Sequence, residues 1–286
     1  MRKLSIRHLT RYRYSAPVTF HPHKLLLRPR EGHDIRMESS QLAITPAHAA
    51  LWHRDVNGNS VAVVSFTEPA AELHIESNVV IEHYEDAPLN FTLEPYAERF
   101  PFQYDASERA ELAPYIQTMF AKDDGQVRTW TEAFWNPDRA LQTFELLESM
   151  NRAIPAQLQY RMREEPGVQR PSETLALGGG SCRDFATLFM EACRHLGLAA
   201  RFVSGYLYAP NLPAAQGATH AWSEVYLPGA GWRGFDSTTG GLVGGDHIAV
   251  AVSRHPESVP PVSGSYEGTS DPPPVMEVSV AVTLLA

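Results

Sequence analysis

Over residues 1 to about 95, apolar side chains recur with a period of two, the pattern of strands with one buried face. Arg2 to Tyr14 alternates in part, Lys24 to Leu27 is a short apolar run, and Glu38 to Ile44 is another. Asp55-Val56-Asn57-Gly58-Asn59 ahead of Val61 to Phe66 predicts a hairpin, because Asn-Gly supplies the positive φ angles of a tight turn. Leu73 to Tyr84 completes a strand-rich module. Pro88 to Pro101 reads as a linker. Helical segments are expected around Ser107 to Ala121 and, with Pro137 at the first helical position after Asn136, on to about Ala153. Trp130, Phe134, Trp135 and Phe144 read as packing onto a core. The clearest helix carries Phe185, Leu188, Phe189, Ala192, Cys193 and Leu196 on one stripe. Ser181 is its N-cap, Asp184 completes a capping box, and Gly197 ends it. From 199 to about 252 strands dominate. Beyond two proline-rich stretches, Val275 to Leu285 alternates again and is expected to add a strand to a sheet, in the N-terminal domain.

At 286 residues the chain exceeds the usual size of one domain, and 43% hydrophobic residues suffice for real cores. The expected division is a β-sandwich over 1–95, a helical connecting segment over 96–155, a domain of one strong helix and several strands over 156–255 and a C-terminal extension with a final strand over 256–286. A net charge of −9 argues against nucleic acid as the main partner. No apolar run is long enough to cross a membrane, and Met1 to Ser5 leads into no apolar stretch of signal-peptide length. Two cysteines make no disulfide framework, and the expectation is a reducing, cytoplasmic location with a free thiol. Arg7, Arg11, Arg13, Lys24, Arg28 and Arg30 make the start basic, which we read as outward side chains of strands. His21-Pro22-His23 lacks a second pair at zinc spacing and reads as loop. No cofactor and no metal are expected. Oligomeric state is not legible.

The candidate chemistry lies in Gly178-Gly179-Gly180-Ser181-Cys182-Arg183-Asp184, then His220, then Asp236. Cysteine, histidine and aspartate in that order, on a helix start and two strands, match a thiol nucleophile with its base and orienting acid. A thiol in the first helical turn lies near unpaired N–H groups and the positive end of the helix dipole, which favour the thiolate. Ala221 to Leu227 alternates, Pro228 to Gly231 is a turn, and Trp232 to Asp236 returns. A turn centred near 228 sets His220 opposite Asp236, whereas a slip of one residue would part them. Singly, each residue has a bland reading: a buried thiol, a structural histidine, a solvated aspartate. Cys193, mid-stripe in the same helix, keeps that reading. Cys182 and Cys193 are too far apart along one helix for a disulfide.

These residues resemble a family. Thr174 to Ala186, Leu196 to Tyr206, His220 to Trp232 and Gly234 to Gly240 are together similar to the motifs of bacterial transglutaminase-like proteins, often described as candidate cysteine proteases. Ile6 to Tyr14 resembles the start of the β-rich N-terminal domain that accompanies them, and Val259 to Gly264 their C-terminal extension. The resemblance implies a papain/transglutaminase-like α+β catalytic domain, a helix-borne cysteine on an antiparallel sheet, with an N-terminal β-sandwich. It implies Cys182 as nucleophile, His220 as base and Asp236 as orienting acid, hydrolysing a peptide or small amide through a thioester. A functional link to a peptide ligase is also implied. The sequence departs from the pattern at Thr219, Ser237, Thr239 and Arg254-His255-Pro256. Transamidation by the same site, or a non-catalytic binding scaffold, are the alternatives. For the oxyanion, the Cys182 N–H is one expected donor, with Tyr160 or Trp222 as the second.

Overall fold

The structure is a computed structural model that describes residues 1–84, 89–120, 124–138, 140–163, 165–210 and 219–285. Its spine is strand β1 (Arg2–Phe20), whose even-numbered side chains are buried from Leu4 to Thr10 and again at Tyr14, Val18 and Phe20. On one side β1 pairs antiparallel with β6 (Ala70–His83), which pairs with β3 (Ile35–Thr45). On the other it takes two strands from the far end of the chain, β17 (Tyr266–Glu267) and β18 (Val275–Leu284). A second sheet runs β16 (Val262–Ser263), β2 (His23–Leu25), β5 (Ser60–Phe66), β4 (His48–Arg54). Tyr14, Val18, Phe20, Leu73 and Ile75 of the first sheet meet Leu25, Ala62 and Val64 of the second, making the sandwich.

The same face of β1 and β6 does different work at its other end. Leu4, Ile6, Val79 and Ile81 join one continuous apolar core with Phe185, Leu188 and Phe189. The sandwich is thus fused to its neighbour by apolar burial, at about 25 cal/mol per Å². The outward arginines carry ion pairs: Arg7 with Glu76 (2.8 Å), Arg11 with Glu72 (2.7 Å) and Arg13 with Glu277 (2.7 Å). The Asn-Gly turn forms between β4 and β5, with Gly58 at φ 73°. Its Asn59 is fully buried, donates to the Val252 carbonyl (2.8 Å) and accepts from the Val252 N–H (2.9 Å), pinning the turn to the neighbouring sheet.

That neighbour is an antiparallel sheet in the order β14 (Gly241–Leu242), β13 (Gly231–Asp236), β12 (Thr219–Leu227), β11 (Ala200–Leu207), β15 (His247–Ser253). Helix α5 (Cys182–His195) packs on it, and α1 (Ala106–Ile116), α2 (Asp124–Glu132), α3 (Thr143–Gln157) and α4 (Pro171–Leu177) all touch α5. The polar side of α5 is therefore not solvated. Asp184, Thr187, Glu191 and Arg194 are as buried as its apolar stripe. Arg194 donates to Glu191 and to the carbonyls of Tyr115, Ala200 and Arg254, so the charges are paired rather than stranded. Gly197 closes the helix at φ 78°, with the Leu198 N–H reaching the Cys193 carbonyl.

Several expectations are corrected. No helix starts at Pro137: Asn136 instead caps a turn through the Asp138 N–H (2.7 Å), and α3 begins at Thr143. The start is set by tertiary contacts, with β8 (Leu141–Gln142) pairing with β7 (Arg99–Phe100) and the Thr143 hydroxyl on the Ala97 carbonyl. The earlier helix ends at Ile116, and Ala121 lies outside the described residues, as does Pro88 at the head of the expected linker. Helices α2 and α4 form where the sequence pattern alone predicts none. His23 is not loop: it opens β2, is buried, and packs against Phe20 and Phe66. The C-terminal extension supplies three strands, not one, and they enter both sheets of the sandwich.

Candidate active site

The glycine stretch that leads to Cys182 is ordered structure. Gly178 ends α4 in the left-handed region at φ 62°, and Gly179 and Gly180 form β10, paired in parallel with β9 (Gln159–Tyr160). A Cβ on Gly179 would lie 2.4 Å from the Gln159 carbonyl oxygen, so only glycine permits this approach. Ser181 caps α5, its N–H and hydroxyl donating to Asp184 at 2.8 and 2.7 Å. Asp184 also takes Arg163 (2.8 Å) and the Gln169 N–H (2.7 Å). The loop beside the thiol is thereby tied to the helix start. Helix geometry leaves the Cys182 and Arg183 N–H groups outside the intrahelical ladder.

The hairpin register differs from expectation by two residues. Ser223 pairs with Phe235 and Leu227 with Gly231, which carries Asp236 on toward Trp222 rather than directly opposite His220. A shift of two preserves the face. The imidazole Nε2 of His220 still lies 3.1 Å from Oδ2 of Asp236, with the N–H bent off the oxygen, so the contact is an ion pair. Cys182 lines the same cleft as His220 and acts electrostatically on its ring. Burial works against charge on His220, but Asp236 and Cys182 together outweigh it and push the imidazole up to about 10. Asp236 is fully buried. Burial would raise it, but His220 and His247 hold its carboxyl well below the usual carboxylate range.

Two partners of Asp236 had no sequence signal. Thr239 donates to Oδ2 (3.1 Å), and His247 Nε2 lies 3.3 Å from the same oxygen. The Thr238 N–H takes Oδ1 (2.9 Å). His247 enters from β15 at the sheet edge, and no local pattern couples it to Asp236. Ser237 turns away to donate to Asn151 (2.8 Å). Cys182 and His220 open onto a cleft of about 540 Å³, walled by Phe202, Val259, Pro260 and Glu257. Tyr160 is half exposed, and burial and then the neighbouring thiol raise its hydroxyl. Trp222 is buried under the rings of His220 and His247 and lines a separate cavity of about 150 Å³, away from the cleft. Cys193 is fully buried, and burial pushes its thiol up.

With this geometry in place, comparison with known proteins decides the family. Residues 4–82 match the bacterial transglutaminase-like N-terminal region, and residues 119–237 match the transglutaminase-like superfamily. The chain belongs to the bacterial transglutaminase-like family. This transglutaminase-like chain is 31% identical to an uncharacterized protein of Mycobacterium tuberculosis, covering 97% of the chain and 91% of the relative. It is 26% identical to one of Mycobacterium leprae over the whole of both. A candidate cysteine protease from Cytophaga hutchinsonii shares the fold, with a TM-score of 0.75 at 17% identity over 100% of this chain and 91% of that one. Membership supports thiol-dependent catalysis in general terms.

His220, Asp236 and His247 place ligand-type atoms within 4.8 Å of one another. Two imidazoles and a carboxylate are a common ligand set, and it is the hydrogen bonding of His247 that disfavours a metal ion here. The Gly244 N–H points at Nδ1 of His247 (3.4 Å), which leaves the proton on Nε2, facing Asp236. Metal on that nitrogen would force a proton onto Nδ1 against the amide. Among the described residues no helix is long and apolar enough to cross a membrane.

Proposed function

We propose that this protein hydrolyses peptide or amide bonds with Cys182 as nucleophile, His220 as acid and base, and Asp236 as the group that orients His220. The observation that carries the reading is that His220 lines an open cleft together with Cys182 while its Nε2 lies 3.1 Å from Oδ2 of Asp236. With Nε2 on Asp236, Nδ1 is left for the thiol. An imidazole pushed up to about 10 is charged at neutral pH, and a positive charge beside a thiol favours the nucleophilic form. The thiolate attacks the amide carbonyl, forming the C–S bond. As the C–N bond breaks, the imidazolium gives its proton to the departing amine. Water then attacks the thioester, His220 takes its proton, and the C–S bond breaks to release the acid. The Cys182 N–H receives the oxyanion, and Tyr160 is the second donor.

The cleft walls are mainly apolar near the thiol, and the charged groups are engaged. Arg183 donates to the carbonyls of Arg163 and Glu165, and Glu257 accepts from the Val168 N–H. This favours a peptide or amide with an apolar acyl side. Two free cysteines suit a cytoplasmic location. The test is the rate of alkylation of each cysteine against pH, with mass spectrometry locating the label. Fast reaction at Cys182 well below the ordinary thiol value of about 8.5, lost in His220→Ala, supports the reading. An ordinary Cys182 overturns it.

A further inference from the structure

His247 is absent from the three-residue scheme, yet it shares Oδ2 of Asp236 with His220, at 3.3 and 3.1 Å respectively. Its ring is held from three further directions. The Gly244 N–H meets Nδ1 at 3.4 Å, Trp222 packs edge-on at 5.2 Å between ring centroids, and the His220 ring lies 5.9 Å away. Its own backbone carbonyl contacts Nε2 of His83 (3.1 Å), so the sandwich also fixes where β15 starts. A histidine placed only to fill space does not need its tautomer set by a backbone amide.

We propose that His247 is a positioning residue: its Nε2–H holds Oδ2 of Asp236 toward His220, so that the site works as a unit of four. The proposal rests on the reading of Cys182, His220 and Asp236 given above. The physical reason is the burial of Asp236. A carboxylate removed from water needs donors for its lone pairs, and donors that leave it free to rotate would let it swing off an imidazole that already meets it at a bent angle. Thr238 and Thr239 hold the carboxylate from its own turn. His247 holds it from a different strand and so fixes the direction in which it faces.

Two substitutions separate the roles of the two ring nitrogens. His247→Asn keeps an acceptor for the Gly244 N–H but falls short of Asp236. His247→Gln reaches Asp236 with a donor. In the full-length protein, alkylation of Cys182 with iodoacetamide is followed against pH, and melting temperatures are recorded beside it. The expected result is a Gln variant within about threefold of wild type, and an Asn variant roughly tenfold or more slower at neutral pH. Its reactive limb moves toward the ordinary thiol value of about 8.5. Equal profiles for wild type and both variants overturn the proposal, including the case where both melt lower, which marks a merely structural histidine. Imidazole ¹⁵N NMR of the wild type gives a second readout that needs no variant to fold: a proton on Nε2 of His247 supports the proposal, and one on Nδ1 overturns it. If wild-type Cys182 is itself an ordinary thiol, the reading of the triad fails first, an outcome distinct from an activated thiol indifferent to His247.

Discussion

Two buried histidines, one in each half of the molecule, answer to burial in opposite ways. His8 lies on the inner face of β1, where Nδ1 meets the Tyr206 hydroxyl (3.1 Å) and Nε2 the Thr10 hydroxyl (3.0 Å). Its partners are neutral, so burial alone acts and pushes it down to about 4. His220 is equally buried, yet Asp236 and the thiol carry it up to about 10. Burial sets the cost of a charge, and the partner decides whether the charge exists. In the sandwich a neutral histidine joins two domains. In the cleft, Asp236 and Cys182 favour the charged form of the other.

The comparison breaks most sharply if the partner of His220 is removed. Asp236→Asn should lower turnover on the order of 10⁴-fold while leaving the fold intact, read by steady-state kinetics on a reactive amide. Next in size is the joint between the halves. Asn59→Ala strands the N–H and carbonyl of Val252 and should cost about 2–4 kcal/mol in urea unfolding. An unchanged midpoint would show the turn to be only surface. The two histidines also impose opposite pH dependences on stability. The pKa of His8 is lower folded than unfolded, so its contribution is present above 6.5 and is lost as pH falls toward about 4, at most about 3 kcal/mol. His220 is raised, so its contribution is full below 6.5 and is lost as pH climbs through about 10. His8→Gln should flatten the acid limb of melting temperature and leave the alkaline limb alone. The smallest effect is expected for Cys193→Ala, about 1 kcal/mol of stability with no loss of Cys182 labelling.

Local chemistry was legible where one segment carries its own geometry. The Asn-Gly turn, the capped and striped helix from Cys182 and the alternating final strand each need only neighbours in sequence. The start of α3 was not legible, since a strand pair and the Ala97 carbonyl outbid the Asn-Pro signal. Nor was the burial of the polar side of α5, which depends on helices packed around it.

For the site, the sequence by itself determined that a cysteine would stand at a helix start and that a histidine and an aspartate would lie on the two arms of a hairpin, on one face for any register of the expected parity. Those are consequences of periods of 3.6 and 2, and they survive a register shift of two residues. Only the tertiary structure decided which further groups meet Asp236, that Asp236 and Cys182 favour charge on His220, that Asn59 pins the sandwich to the neighbouring sheet, and that the chain's last strands return to the sandwich. Such contacts join residues from separate strands and domains. Their energies depend on distance and burial in space, which no local pattern encodes.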